Sequence, residues 1–206
     1  MNCIYKLLTI KLLAISTLLV SCKPDEPRPK YQYERNPHYK WGYAEYYGPW
    51  YAEYNNNSNV LSLSFFSDSL DVNNDGELSG TGQYLYIEDV FIPADSIILP
   101  EGKYVSSESG LPFTFHPGRQ FEVDELKIDV GAFLFYKEKN KNYSVMKQVS
   151  RGEFTVKIAD SKHIITCDFV LSDSTKITGT FTDTIPHFDF SAKPKNAPRQ
   201  KIKLTL

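Results

Sequence analysis

Apolar and polar residues alternate with a period of two along most of this chain. The pattern is clean in residues 61–65, 154–158, 165–171 and 177–181, and it returns in the terminal run 201–206. Successive side chains of a β-strand point to opposite faces, so this alternation predicts strands that bury one face each. No long stretch follows the period of an α-helix. The pattern therefore predicts an all-β protein.

Short clusters of turn-forming residues separate the alternating runs. They lie at 73–76, 100–102, 117–118, 139–142, 159–161 and 172–174. Connections this short favour antiparallel pairing between consecutive strands. We therefore expect one domain over residues 39–206, folded as a single antiparallel β-sandwich or flattened β-barrel of about ten strands.

The N-terminal segment has a different character. Two lysines precede the apolar run 12–20, which stops at Ser21 and Cys22. A basic start, a short apolar stretch and a small residue at the end are typical of a secretory signal peptide, and the run is shorter than the about 20 residues that span a bilayer. We expect residues 1–21 to be removed as a signal peptide. The alternative is an uncleaved anchoring helix, which these flanking residues do not favour.

Residues 19–22 read Leu-Val-Ser-Cys and resemble the lipobox of bacterial lipoproteins. The resemblance implies that Cys22 is lipidated and becomes the mature N-terminus. Each buried methylene contributes about 0.8 kcal/mol, so several acyl chains hold a domain at a membrane without a spanning segment. Residues 22–38 then form a charged, proline-rich tether. We expect a lipid-anchored protein of the bacterial outer membrane, facing either the cell surface or the periplasm.

Three short elements lie in the body of the chain: L-P-x-G-x-Y at 99–104, G-x-x-x-V at 152–156 and I-x-G-x-F at 177–181. Together they resemble uncharacterised outer-membrane lipoproteins of gut Bacteroidota, over roughly residues 43–183. The resemblance implies the compartment and the β fold, and it carries no activity. Gly179 within a strand suggests a bulge or a close backbone approach.

Charge and cysteine content restrict the partners and the chemistry. The formal net charge is −2 and no polybasic segment stands out, so we expect no nucleic-acid partner. Cys3 falls in the signal peptide and Cys22 is the lipid site, so Cys167 is the one thiol expected in the domain. Its alternating context predicts a small buried hydrophobe rather than a reactive group.

The segment 71–82 resembles the calcium loop of EF-hands and dockerins. The ligands that this resemblance implies are the side chains of Asp71, Asn73 and Asp75, the carbonyl of Glu77, and Ser79 directly or through water. The twelfth position is Gly82 instead of a bidentate acid, and both flanks have the pattern of strands. We favour a plain hairpin loop, with a weak Ca²⁺ site as the alternative and no other cofactor expected.

Aromatic residues concentrate between Tyr31 and Tyr54, where both tryptophans and eight of the fourteen tyrosines lie. Such rings combine an apolar face with a polar group, which suits stacking on sugars or anchoring a protein partner. The alternative, which we favour for most of them, is that they fill the core of the first strand pair. The candidates for ligand-binding rings are Trp41, Trp50, Tyr39 and Tyr47.

Enzyme motifs such as G-x-S-x-G, H-E-x-x-H and the P-loop are absent, and the four histidines are scattered. We therefore expect a non-catalytic binding module for glycans. Two alternatives stay open: an assembly component of an envelope protein complex, and a glycoside-active enzyme in which Glu45 and Glu53 are the first acids to examine. A glycan site should be a groove of rings beside polar groups, whereas a protein interface should be flatter with a continuous apolar centre.

Overall fold

The computed structural model of the chain describes residues 33–67, 69–73, 75–123, 126–139, 144–194 and 202. The predicted signal peptide, Cys22 and the tether up to residue 32 lie outside the described residues. So does the predicted terminal strand, apart from Ile202. The description therefore covers most of the predicted domain.

The prediction of an all-β fold is confirmed. The described residues form one short 3₁₀ helix, Ala52–Tyr54, and fifteen strands: β1 His38–Tyr39, β2 Trp41–Gly48, β3 Asn59–Phe66, β4 Leu70–Val72, β5 Leu78–Gly80, β6 Gly82–Ile92, β7 Gly102–Ser106, β8 Thr114–Phe115, β9 Arg119–Val123, β10 Leu126–Val130, β11 Ala132–Lys137, β12 Ser144–Ala159, β13 Lys162–Leu171, β14 Lys176–Asp183 and β15 His187–Asp189. The number exceeds the expected one because β1, β4, β5, β8 and β15 are fragments of two or three residues.

Eleven of these strands form one sheet that curls into a barrel-like ring. From β1 the ladder passes through β14 and β13 to the long strand β12. β12 then pairs with β11 at residues 144–148 and with β7 at residues 153–156. On the other side of β11, β7 and β8 lies β6, which pairs with β11 at residues 82–87 and with β8 at residues 90–91. The ladder ends with β3, β2 and β15.

Parallel pairing between an early and a late segment of the described residues joins the ends of this ladder. In β1 and β14, His38 lies opposite Thr180, and in β2 and β15, Ala44 lies opposite His187. Lys40 alone separates β1 from β2, so the parallel pairs β1–β14 and β2–β15 lie next to each other. Antiparallel neighbours were expected from the short turns, but these segments are far apart in sequence and no turn dictates their direction.

The interior of the ring is filled with apolar side chains. Tyr104 and Phe154 stack there with ring centroids 4.6 Å apart, and Phe115 packs against Phe154. Cys167 is buried in the same cluster, which confirms that it occupies a hydrophobic position. Burial raises the pKa of its thiol to about 12. The neutral thiol is therefore the stable form at physiological pH.

A second apolar cluster covers the outer face of β3, β6 and β11. The β4–β5 hairpin places Leu70 and Leu78 against Phe66 and Tyr84, and Ile202 packs on the same cluster. β3 is consequently buried on both faces, including Ser62 and Ser64, which the alternating pattern assigned to an exposed face. The pattern was correct in period, but it could not show that Ser62 and Ser64 bond to Glu45 and Tyr84 on the neighbouring strands.

Candidate functional site

A groove of about 590 Å³ opens where β3 begins and β6 ends. It is formed by three separate segments of the chain. The lining residues are Tyr51, 54–58, Phe91, Ala94, 108–112 and His116. Aromatic rings, amides and hydroxyl groups thus converge on one concavity.

The first wall is the turn that follows β2. The 3₁₀ helix Ala52–Tyr54 ends at Asn55, which adopts a left-handed conformation with φ 57°. Asparagine tolerates this conformation better than most residues, so the helix stops after one turn. The turn holds the ring of Tyr54 in solvent, where 79 % of the residue is exposed. An aromatic face at the mouth of the groove is therefore available for contact.

The second wall is the connection between β7 and β8, and polar contacts tie it to the first wall. Asn56 Nδ2 and Ser58 Oγ both donate to the carbonyl oxygen of Gly110 at 2.9 Å. Gly110 has φ +65°, and a Cβ atom there would collide with the Asn56 amide. Only glycine allows this close approach without strain. The two walls are thereby held at a fixed separation.

The floor of the groove is a hydrogen-bonded network around a nearly buried carboxylate. Tyr51 donates its hydroxyl to Asp89 Oδ2 at 2.9 Å, and His116 Nδ1 lies 3.1 Å from the same oxygen. The backbone N–H of His116 also donates to the Asp89 carbonyl at 3.0 Å. Phe91 contacts the imidazole edge to face, with ring centroids 4.8 Å apart. Residues from three segments are thus fixed relative to one another.

At the rim, Glu108 forms an ion pair with Arg119 at 2.8 Å. Both side chains are substantially exposed, so this pair contributes little to stability. Its effect is local, because it engages the guanidinium group of Arg119 next to the groove. None of the described lining residues is itself a lysine or an arginine.

Two of the four aromatic residues singled out from the sequence are buried. Tyr39 is 2 % exposed and Tyr47 is 3 % exposed, so neither ring faces the groove or any other surface. Tyr39 fits inside the barrel because it lies over Gly179, where a Cβ atom would come within 2.8 Å of its ring. The close approach expected at Gly179 is thus observed. We therefore leave Tyr39 and Tyr47 out of the candidate site.

The two tryptophans are half-buried and lie outside the groove lining. Trp41 stacks on Phe66 with a centroid distance of 3.7 Å and donates its Nε1–H to the Leu70 carbonyl at 3.0 Å. Trp50 packs edge to face on Tyr47 at 5.5 Å. Trp41 starts β2, whereas the groove lies beyond the end of that strand. Their exposed edges are too limited for us to include them in the site.

The groove residues that sequence reasoning missed are Tyr51, Tyr54, Asp89 and His116. The two tyrosines belong to the aromatic segment, and the three consecutive asparagines at 55–57 mark a loop that would project such rings. The three asparagines are therefore the sequence signal that identifies these two rings. No sequence pattern indicated that Asp89 and His116 meet, because their contact depends on the pairing of β6 with β8.

The segment proposed as a calcium loop forms a hairpin, in agreement with the interpretation we favoured. Leu70 pairs with Gly80 across β4 and β5. Asn73 Oδ1 accepts hydrogen bonds from the backbone N–H groups of Asp75 and Glu77, both at 2.9 Å. The exposed Asp71 and Ser79 lie on the two strands. Over the described ranges no three His, Cys, Asp or Glu residues form a group that could hold a metal ion. The weak Ca²⁺ site stays a prediction.

The two acids considered for catalysis lie in different environments. Glu45 is buried, and its Oε2 accepts hydrogen bonds from Tyr47 Oη at 3.0 Å and Ser62 Oγ at 2.8 Å. Glu53 is exposed on the 3₁₀ helix. Neither residue lines the groove. Glu45 thus serves to satisfy buried hydroxyl groups within the sheet.

In the described part of the chain, no helix is long and apolar enough to cross a membrane. Comparisons with protein-family models, with curated proteins and with solved structures found no match to this chain. The geometry of the groove is therefore the basis on which a function can be argued.

Proposed function

We propose that this protein is a lipid-anchored lipoprotein of the bacterial outer membrane whose β domain is a non-catalytic module for binding glycans. The groove between Tyr54 and Gly110 is the binding site. The observation that carries the proposal is the exposed ring of Tyr54 beside the amides of 55–57 and the hydroxyl of Ser109.

The chemistry of sugars matches this arrangement. A pyranose ring presents C–H groups on its faces and hydroxyl groups at its edge. The faces pack on aromatic rings, and the hydroxyl groups exchange hydrogen bonds with amides and other hydroxyls. The groove volume of about 590 Å³ falls in the range of about 300–1,000 Å³ that is usual for small-molecule sites. It accommodates a few sugar units.

The lining also favours a glycan over a protein partner. A protein interface has a continuous apolar centre, whereas here the rings of Tyr51, Tyr54 and Phe91 alternate with asparagine and serine side chains. The exposed Leu111 and Pro112 lie on one wall and do not form a broad patch. This pattern is the one expected of a groove of rings beside polar groups.

The place where the chain enters the barrel supports an accessible site. The carbonyl of Glu34 accepts a hydrogen bond from Gln83 Nε2, at the start of β6. The groove contains Phe91, near the other end of β6. At about 3.3 Å per residue these positions are about 26 Å apart along the strand. The groove therefore lies at the end of β6 opposite the point where the described chain enters the barrel.

Binding of the purified protein to a panel of plant, host and microbial polysaccharides tests the proposal. Isothermal titration calorimetry should detect binding to at least one of them. Tyr54→Ala removes the exposed ring and should weaken that binding by about tenfold, or about 1.4 kcal/mol. Phe188→Ala is the control, since Phe188 is also exposed but lies on β15 outside the groove. The proposal fails if no polysaccharide binds, or if Tyr54→Ala binds as tightly as the wild type.

A further inference from the structure

We infer that the groove selects uncharged glycans, and that His116 Nε2 accepts a hydrogen bond from a hydroxyl group of the bound sugar. Asp89 holds the imidazole in the tautomer that carries its hydrogen on Nδ1 and leaves Nε2 free to accept. This inference rests on the proposed glycan-binding function and adds the ligand class and the role of two residues to it.

The Asp89 carboxylate determines the tautomer of His116. An ionised carboxylate only accepts hydrogen bonds, so the ring nitrogen that faces it must carry a hydrogen. Nδ1 faces Asp89 Oδ2 at 3.1 Å. The neutral ring therefore has its unprotonated nitrogen at Nε2. Among the described residues Nε2 has no hydrogen-bond partner, and the ring lines the groove. A ligand hydroxyl can fill this position as the donor.

The imidazole is held in place before a ligand arrives. Its backbone N–H donates to Asp89, its Nδ1 contacts the same residue, and Phe91 packs against its face. Tyr51 bonds to the same carboxylate oxygen, so an aromatic ring and the acceptor nitrogen are positioned together. A site that needs no reorganisation loses less free energy to ordering when a ligand binds.

The charged groups around His116 argue against an acidic ligand. Asp89 lies behind the ring on β6, and Glu108 lines the groove from the connection after β7. Arg119 on β9 is the nearby cation, and Glu108 already engages it. The described lining offers no lysine or arginine to a carboxylate or sulfate. A negatively charged sugar would meet the Asp89 carboxylate and a Glu108 carboxylate already paired with Arg119, and the described lining offers it no cation of its own, whereas a neutral sugar needs none.

A matched pair of ligands tests the selectivity. The probes are a glucan, a mannan and a galactan, each compared with its own form oxidised to a carboxylate at C6. The neutral form should bind at least about tenfold more tightly, and added salt should narrow the difference because it screens charge. Equal or tighter binding of the oxidised form would overturn the inference while leaving glycan binding intact. Absence of binding to every neutral and charged probe would overturn the proposed function as well.

The role of Asp89 has a test that needs no ligand. Heteronuclear NMR of the histidine rings at about pH 8 should show His116 with hydrogen on Nδ1 and none on Nε2. Asp89→Asn replaces the carboxylate by a weaker acceptor, so the population with hydrogen on Nε2 should rise and neutral-glycan affinity should fall severalfold. Hydrogen on Nε2 in the wild type would contradict the inference.

His116→Phe is a second variant, in case loss of the buried carboxylate impairs folding. It keeps a ring against Phe91 and removes Nε2, and His116 is only partly buried. We expect about a tenfold loss of neutral-glycan affinity with a preserved circular dichroism spectrum. Unchanged affinity in this folded variant would show that Nε2 does not contact the sugar.

Discussion

The backbone N–H of Leu99 donates a hydrogen bond to Nε2 of His187, 88 positions later in the chain, at 3.2 Å. On the other side of the ring, Nδ1 lies 2.9 Å from the Ile185 carbonyl and donates to it. His187 can make both bonds only as the neutral imidazole. His163 lies beside it with ring centroids 6.1 Å apart. The neutral His187 thus fastens the Leu99 loop to the last strands, and His163 packs beside it.

This pair should make stability depend on pH. Burial is the main cause that lowers the pKa of both His163 and His187. The unfolded chain, with histidines titrating near about 6.5, therefore binds more protons than the folded chain just below that pH. The free energy of unfolding should be at its full value above about pH 6.5 and fall as the pH drops towards the folded-state values.

Urea unfolding between about pH 8 and about pH 5 measures this effect. His163→Gln should show a shallower loss of stability with acid than the wild type. His38→Gln serves as the control, because His38 is exposed on β1. A wild-type free energy of unfolding that rises on acidification over this interval would contradict the prediction.

Gly179→Val should destabilise the barrel by about 1–3 kcal/mol, because the added atoms would overpack the space occupied by the Tyr39 ring. A Cβ at this position already comes within 2.8 Å of Tyr39 Cε2. Chemical denaturation measures the loss. Thr182→Val, on the exposed face of the same strand, should change stability by less than about 0.5 kcal/mol. Combining Gly179→Val with Tyr39→Leu should recover part of the loss, and strictly additive effects would argue against a direct clash.

Glu45→Ala and Glu53→Ala should differ sharply. Removing Glu45 takes away an acceptor of two buried hydroxyl groups, those of Tyr47 and Ser62, so the expected loss is about 1–3 kcal/mol. Glu53 is exposed, and its removal should cost less than about 0.5 kcal/mol. Thermal unfolding compares them directly. Equal losses in the two variants would show that the buried hydroxyl groups do not depend on Glu45.

Cys167 should be inert in the folded protein. Its thiol pKa is raised to about 12 by burial, so the thiolate needed for alkylation is scarce at neutral pH. Mass spectrometry after iodoacetamide treatment should find Cys167 unmodified in buffer and fully modified in denaturant. Rapid modification of the native protein would mean that the β12–β13–β14 region opens readily.

Local pattern was sufficient for the strands and insufficient for their arrangement. The alternation around Leu61 predicted β3 correctly, because side-chain direction is a local property of the backbone. It assigned Ser62 and Ser64 to solvent because their partners, Glu45 and Tyr84, come from strands that are distant in sequence. The parallel contact of His38 with Thr180 is equally distant. Period-two patterns contain no information about which strands become neighbours.

At the groove, the sequence indicated a segment but not the individual rings. The aromatic segment includes Tyr51 and Tyr54, which line the groove. Two of the four candidate rings, Tyr39 and Tyr47, are buried because they alternate onto packed faces whose far side cannot be inferred from sequence. The Asp89 and His116 contact spans 27 positions and is set by β6 and β8.

The parallel contact between β1 and β14 has a kinetic consequence. His38 and Thr180 are 142 positions apart, so β1 cannot find its partner until nearly the whole chain is available. Contacts of such high sequence separation form slowly, because the chain loses the entropy of loop closure before the new contacts stabilise it. We expect closure to be the rate-limiting step, measurable by stopped-flow refolding. Until β14 has been synthesised, the strands up to β13 can therefore form only an open sheet.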